Sequence, residues 1–134
     1  MATKYSSADY ITKHTVNHDD TSTLTLIAAK DGDTIVEVTV EVTETWDDTA
    51  KALEIGDSTD PNGFAEDLGA SLGTLGYYNL DHDTWGAYLW HNAGSHRLTK
   101  VYTGADNILA TFVGTGNGGS QGQCVVFITH RQLK

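Results

Sequence analysis

Cysteine occurs once in these 134 residues, as Cys124, so no disulfide can form within the chain and no thiolate cluster can assemble. A domain of this length buries roughly two-thirds of its extended-chain surface and needs neither a disulfide nor a metal to fold. Cys124 sits in Cys124-Val125-Val126-Phe127-Ile128, where it reads as a small buried hydrophobe. The first residues, Met1-Ala2-Thr3-Lys4-Tyr5-Ser6-Ser7, lack the apolar stretch of a secretory signal. No run approaches the roughly 18–20 apolar residues that cross a membrane, and no Asn-x-Ser/Thr sequon is present. Basic residues are scarce: 8 Lys and Arg against 18 Asp and Glu give a formal net charge of −10. That balance argues against a nucleic-acid backbone as partner, because phosphate contacts need Lys and Arg. The expectation is therefore no nucleic-acid and no membrane partner.

The acidic residues are concentrated. Fourteen of the eighteen lie between Asp31 and Asp83, where Lys51 is the one basic residue. Such a segment is expected to face solvent or a basic strip on a partner.

What is abundant is β-type patterning. Residues 1–21 are polar and weakly patterned and read as an N-terminal arm, ordered only if it packs on something. The domain proper is expected over residues 22–134. Residues 23–28 are β-prone, and Asp31-Gly32-Asp33 supplies a tight turn. In residues 34–45, Val36, Val38, Val40 and Val42 share one parity while Glu37, Thr39, Glu41 and Thr43 share the other. A period of two predicts a strand with one dry and one wet, negative face. Residues 51–55 form a short strand, residues 56–63 a loop holding the sole proline, Pro61, and residues 64–68 one helical turn with Phe64 and Leu68 inward. Residues 69–80 read as a connection. Further β-like segments follow at 84–91, 96–102, 107–114 and 123–131, with a hairpin-like turn at 104–107 and a longer glycine-rich one at 114–122.

Seven or so short strands divided by Gly, Asp and Asn turns predict an all-β fold, an antiparallel β-sandwich of jelly-roll type with at most one short helix. The late strands carry apolar residues on both parities: Ile108, Ala110 and Phe112 against Leu109 and Val113, and every residue from Cys124 to Ile128. Trp85 and Leu89 oppose Tyr88 and Trp90 in the same way. A sandwich buries one face per sheet, so the second face is covered by the arm, by the 64–80 connection or by a neighbouring subunit. The interface candidates are Trp85, Tyr88, Trp90, Leu109, Val113, Val125 and Phe127.

No residues assemble into recognisable catalytic chemistry. Of six histidines, His14 and His18 stand four apart, but Thr15 occupies the place of the glutamate that follows the first histidine in the helical zinc metalloprotease motif. His91 and His96 flank a turn and can approach each other across it. His82 with Asp81 and Asp83 supplies a base and an orienting carboxylate, but no serine stands in a Gly-x-Ser-x-Gly elbow. Asp57, Asp60 and Asn62 are oxygen donors for a hard cation at a spacing that does not match the EF-hand loop. Carboxylate pairs for glycoside hydrolysis are inevitable in so acidic a chain and so carry little information. The expectation is no catalytic residue, no metal and no cofactor. The aromatics Trp46, Tyr77, Tyr78, Trp85, Tyr88, Trp90 and Tyr102 fit core or subunit packing, or alternatively a platform for sugar rings.

The run Gly32-Asp33-Thr34-Ile35 leading into Val38, Val40 and Val42, then Ile55-Gly56-Asp57 and Asp60-Pro61-Asn62-Gly63-Phe64, resembles small virion structural proteins of tailed bacteriophages. The resemblance covers roughly residues 22–130. It implies a non-enzymatic virion component, a capsid-decorating, head-fibre or tail-associated protein, located on the virion. It further implies a homo-oligomer, a trimer in first place, with the major capsid protein or another virion protein as partner. A carbohydrate-binding module and a head–tail or tail accessory protein are the alternatives.

Overall fold

A computed structural model describes residues 7–66, 68–79, 86–91, 96–113 and 119–133; at positions 7, 8, 79, 90, 91, 96, 97, 113, 132 and 133 it describes the backbone alone. Ten strands are present in this description: β1 (Ser7–Asn17), β2 (Leu24–Ala29), β3 (Thr34–Glu44), β4 (Ala52–Gly56), β5 (Gly76–Asn79), β6 (Trp90–His91), β7 (His96–Arg97), β8 (Lys100–Val101), β9 (Asp106–Val113) and β10 (Gln123–Leu133). The larger sheet runs β1-β10-β3-β5, with β8 also on β3; the smaller runs β2-β9-β4; β6 and β7 pair alone. Every pairing is antiparallel.

The pairings nest. First pairs with last, β1 on β10; then β2 pairs with β9 and β3 with β8. A chain folded as one long hairpin, then rolled so that successive pairs land on alternate sheets, gives this order, which is that of a jelly roll. The all-β sandwich expected from the sequence is the fold observed.

Packing follows strand parity. From β10, Cys124, Val126 and Ile128 point inward; from β9, Ile108, Ala110 and Phe112; from β4, Leu53 and Ile55, all buried. On β3 the inward residues are Ile35, Val38, Val40 and Val42. Val36 had the parity of the dry face, but the register steps from Thr129 opposite Glu37 to His130 opposite Ile35 and leaves Val36 unopposed. A bulge inserts one residue and reverses the alternation beyond it, so Ile35 takes the inward place. Trp46 closes one end of the core, its indole edge-on to Phe112 at 5.9 Å and its backbone N–H bonded to the Leu72 carbonyl at 2.9 Å. Gly122, at φ +150°, lies against that indole, where a Cβ would collide with the ring.

Four expectations are revised. Residues 7–17, read as an arm, form the edge strand β1, in unbroken register with β10 from Ser7↔Leu133 to Asn17↔Gln123. Residues 7–17 therefore widen a sheet at its edge. Residues 64–68 form no helical turn: the Phe64 and Ala65 N–H groups bond the Ile55 carbonyl and the Leu68 N–H bonds that of Leu53. The open edge of β4 offers these acceptors, and the segment runs back along it, with Phe64 and Leu68 buried as anticipated. The 69–80 connection contains a 3-10 turn, Ser71–Gly73, and the edge strand β5. The turns at 104–107 and 114–122 join no hairpins, because each carries the chain from one sheet to the other. Consequently β9 and β10 do not share a sheet, and each contributes one inner and one outer row.

Burial pushes the Cys124 thiol up to about 12. It is expected to stay unmodified by maleimide in the native protein and to react once denaturant unfolds it. Trp46→Ala is expected to lose about 3–5 kcal/mol of unfolding free energy by denaturant titration, through the cavity it opens.

Candidate interaction surface

The outer face of the larger sheet is built from the odd residues of β1 and β10. Across the sheet, Lys13 stands opposite Phe127 and Phe127 opposite Thr39; Thr15 opposite Val125, Val125 opposite Glu41, and Glu41 opposite Tyr77. The Tyr77 ring lies 5.6 Å from that of Phe127, and its hydroxyl meets the Thr39 hydroxyl at 2.6 Å. Thr39 is thereby buried, although strand alternation placed it on the wet side. Ile11 is 69% exposed, Tyr77 54% and Val101 53%, so three large apolar side chains on this face still meet water. Charges frame them: Glu37 and Glu41 on β3, Lys13 on β1, and the Asp9–Arg131 pair, with Nε to Oδ1 at 2.7 Å. A flat apolar strip with a charged margin is the composition of a protein contact surface, not of a small-molecule pocket.

The loop at residues 56–63 is the most polar assembly in the core. Asp57, 1% exposed, accepts hydrogen bonds from the hydroxyls of Tyr88 and Tyr102, each at 2.9 Å, and from the backbone N–H groups of Thr59 and Asp60, each at 3.0 Å. Burial pushes the Asp57 carboxyl up; the Asp60 N–H, the two phenols and the Thr59 N–H outweigh it and hold the carboxyl below its ordinary value. Tyr88 and Tyr102 are both raised, by burial first and then by the carboxylate they donate to. The Lys100 ammonium sits 4.1 Å above the Tyr88 ring and 5.4 Å from that of Tyr102. Phe64 packs edge-on to Tyr88 at 5.2 Å. Glycine is required twice: a Cβ on Gly56 would strike the Asp60 and Pro61 backbone, and one on Gly63 the Tyr88 ring.

This loop is therefore a structural fastener. The Asp57 oxygens that the spacing offered to a cation are committed to four donors. Asp60 contributes its backbone carbonyl to the turn, accepting from the N–H groups of Asp57 and Gly63. Among the described residues no group of three or more His, Cys, Asp or Glu is placed to hold a metal. A shallow cleft of about 220 Å³ beside the loop is lined by Asp57, Lys100, Tyr102 and Asp106 among others. Asp106 in turn holds the Ser58 hydroxyl at 2.9 Å.

Of the seven interface candidates, the side chains of Val125, Phe127, Leu109 and Tyr88 are described, and they lie in three places. Val125 and Phe127 lie half-buried on the outer face of the larger sheet, and Leu109 half-buried on β9 of the smaller. Tyr88 belongs to the fastener. Trp85 lies outside the described residues, and of Trp90 and Val113 only the backbone is described, opposite Arg97 in β7 and Ala52 in β4. His91 and His96 are register partners across β6 and β7; His82, Asp81 and Asp83 lie outside the described residues. Trp46 and Tyr102 are buried, which removes both as platforms for a sugar ring. Ile11 and Val101 carry no exposure signal in the sequence, because the exposure of each depends on which strand lies beside it.

The chain matches no protein-family model and no curated protein. Its fold is similar to those of two viral chains. One comes from the acid-stable capsid of Helicobacter pylori bacteriophage KHP30, with a TM-score of 0.62 and 13% identity over 96% of this chain and 93% of that one. The other comes from the capsid asymmetric unit of cyanophage Pam1, with a TM-score of 0.57 and 14% identity over 98% and 90%. At such identities the likeness is one of fold.

The hydrogen bonds of Asp57 with Tyr88 and Tyr102 are expected to contribute a constant stability between about pH 4 and 10, the ordinary pKa values of a carboxyl and a phenol. Because the Asp57 value is depressed on folding, its contribution is present above that range's lower bound and lost as pH falls through the folded value. Because the tyrosine values are raised, theirs is present below the upper bound and lost as pH rises through the folded values. Tyr102→Phe is expected to cost about 1.5–3 kcal/mol near neutrality and to shallow the alkaline limb of a stability–pH curve measured by urea unfolding.

Proposed function

We propose that this chain is a non-enzymatic structural protein of a bacteriophage virion, carried on the capsid as a decoration or stabilising protein and acting as a homo-oligomer. The observation that carries the reading is the extent of the fold likeness. It runs over nearly the whole of this chain and of two chains from phage capsids, so the entire module is shared and not a single β motif. The sequence resemblance in residues 22–130 points the same way on independent grounds. The buried Asp57 fits this reading, since its carboxylate spends its hydrogen bonds on holding the loop.

The mechanism is then mechanical. The strip of Val125, Phe127 and Tyr77 meets a neighbouring virion protein, and the charges around it set the register of docking. The shell gains stability in proportion to how much more tightly the protein binds assembled than unassembled subunits.

Purified particles of the phage encoding this chain are expected to contain it in stoichiometric amounts by mass spectrometry. Density for the two-sheet module is expected on the shell in a cryo-electron map. Phe127→Asp is expected to lower occupancy on the particle at least tenfold while leaving the far-ultraviolet circular dichroism unchanged. Particles that lack the protein altogether would overturn the assignment.

A further inference from the structure

The outer edge of β1 has the properties of a strand that pairs with another strand. β1 is eleven residues long, contains no proline, and keeps unbroken register with β10 along its other edge. Among the described residues no strand lies against its outer edge. The direction of its free hydrogen-bonding groups can be read from its end. The His18 N–H bonds the Gly122 carbonyl at 2.9 Å in continuation of the ladder, whereas the Asn17 N–H turns away to the Asp20 carboxylate at 2.8 Å. In an antiparallel ladder, residues that bond the partner alternate with residues that face away. Even residues of β1 therefore bond β10, and Asp9, Ile11, Lys13 and Thr15 direct their N–H and C=O groups outward.

We propose that this edge pairs with the same edge of a second copy, antiparallel, about a two-fold axis at Ile11. The charges select both the occupant and the register. In a chain of net charge −10, the segment Ser7–Asn17 carries one acid, Asp9, and one base, Lys13, and is neutral overall. Two copies can approach there without the repulsion the rest of the chain imposes. With Ile11 opposite Ile11 of the second copy, Asp9 falls opposite Lys13 and Lys13 opposite Asp9, both in hydrogen-bonded positions on the outer face. Moving the centre two residues either way sets Lys13 against Lys13 or Asp9 against Asp9, which cross-strand pairing disfavours. The same register covers Ile11, the most exposed large apolar side chain among the described residues. The larger sheets of the two copies become one continuous sheet, and an edge otherwise open to indiscriminate strand addition is closed. The pairing does not depend on the virion assignment.

Sedimentation velocity and native mass spectrometry on the full chain test it. A two-copy species is expected. Lys13→Glu, which puts a glutamate opposite Asp9, is expected to raise its Kd at least tenfold. Ile11→Pro removes an outward N–H while sparing every bond to β10, as edge strands permit, and is expected to give a monomer with wild-type circular dichroism. Register is tested by cross-linking: Ile11→Cys brings two thiols onto the axis, at a Cα separation of about 5.5 Å that a disulfide accepts. It is expected to form a covalent dimer on mild oxidation. Thr15→Cys, four residues from the axis and so roughly 27 Å from its equivalent, is not. A wild-type monomer at tens of micromolar, a three-copy assembly that Lys13→Glu leaves intact, or equal cross-linking at both positions would each overturn the proposal. Should Ile11→Pro fail to fold, the cysteine pair and Lys13→Glu still decide it.

Discussion

Strand β10 is hydrogen-bonded along both edges, to β1 over its whole length and to β3 through two bulges. It is the last long segment of the chain, and the strands beside it are the first and the third. The larger sheet therefore cannot close until β10 is in place. Every nested pair outside the turn of the roll joins residues far apart in sequence, which raises the loop-closure entropy to be overcome. Such a topology folds slowly for its size. It also ties the two ends of the chain into the best-connected strand of the sheet.

The second constraint is local and chemical. In Ile55-Gly56-Asp57 and Asp60-Pro61-Asn62-Gly63-Phe64, each residue type has a separate task in one device. Ile55 and Phe64 are buried, Asp57 collects four donors, and the two glycines let backbone and ring approach. The carboxylate reaches Tyr102 just past β8 and Tyr88 before β6, so one side chain binds three chain segments between the sheets. A buried charge is tolerable because hydrogen bonds replace its hydration. A sequence pattern of acids, glycines and proline that suggests a cation loop is here the signature of a self-satisfied turn.

How much of this could be read beforehand follows from what each signal depends on. The β3 strand was legible because valines at 38, 40 and 42 alternate with polar residues, and alternation is a property of one strand alone. The exchange of Val36 for Ile35 was not, because a bulge is a relation between two strands. β1 escaped notice as a strand because an edge at the rim of a sandwich has little to bury. Among its described inward side chains only Val16 is fully covered, and Thr12 and His14 keep polar atoms without partners there. The outer positions of Val125 and Phe127 were legible by parity from the buried Cys124, Val126 and Ile128. That β9 lies in the other sheet was not, because glycine-rich connections look alike whether they reverse a hairpin or cross a sandwich.

The ladder between Ser7↔Leu133 and Asn17↔Gln123 has a mechanical consequence. Its first rung joins residues near the two ends of the chain. A force pulling those ends apart would load the rungs one after another, as in opening a zip, and each would yield at low force. A shear along the strands, pulling on Asn17 and Leu133 in opposite directions, would instead be shared by all the rungs at once. The β1–β10 ladder is thus weak when Ser7 and Leu133 are drawn apart and strong in shear, so the sheet bears load best when the pull runs lengthwise along its strands.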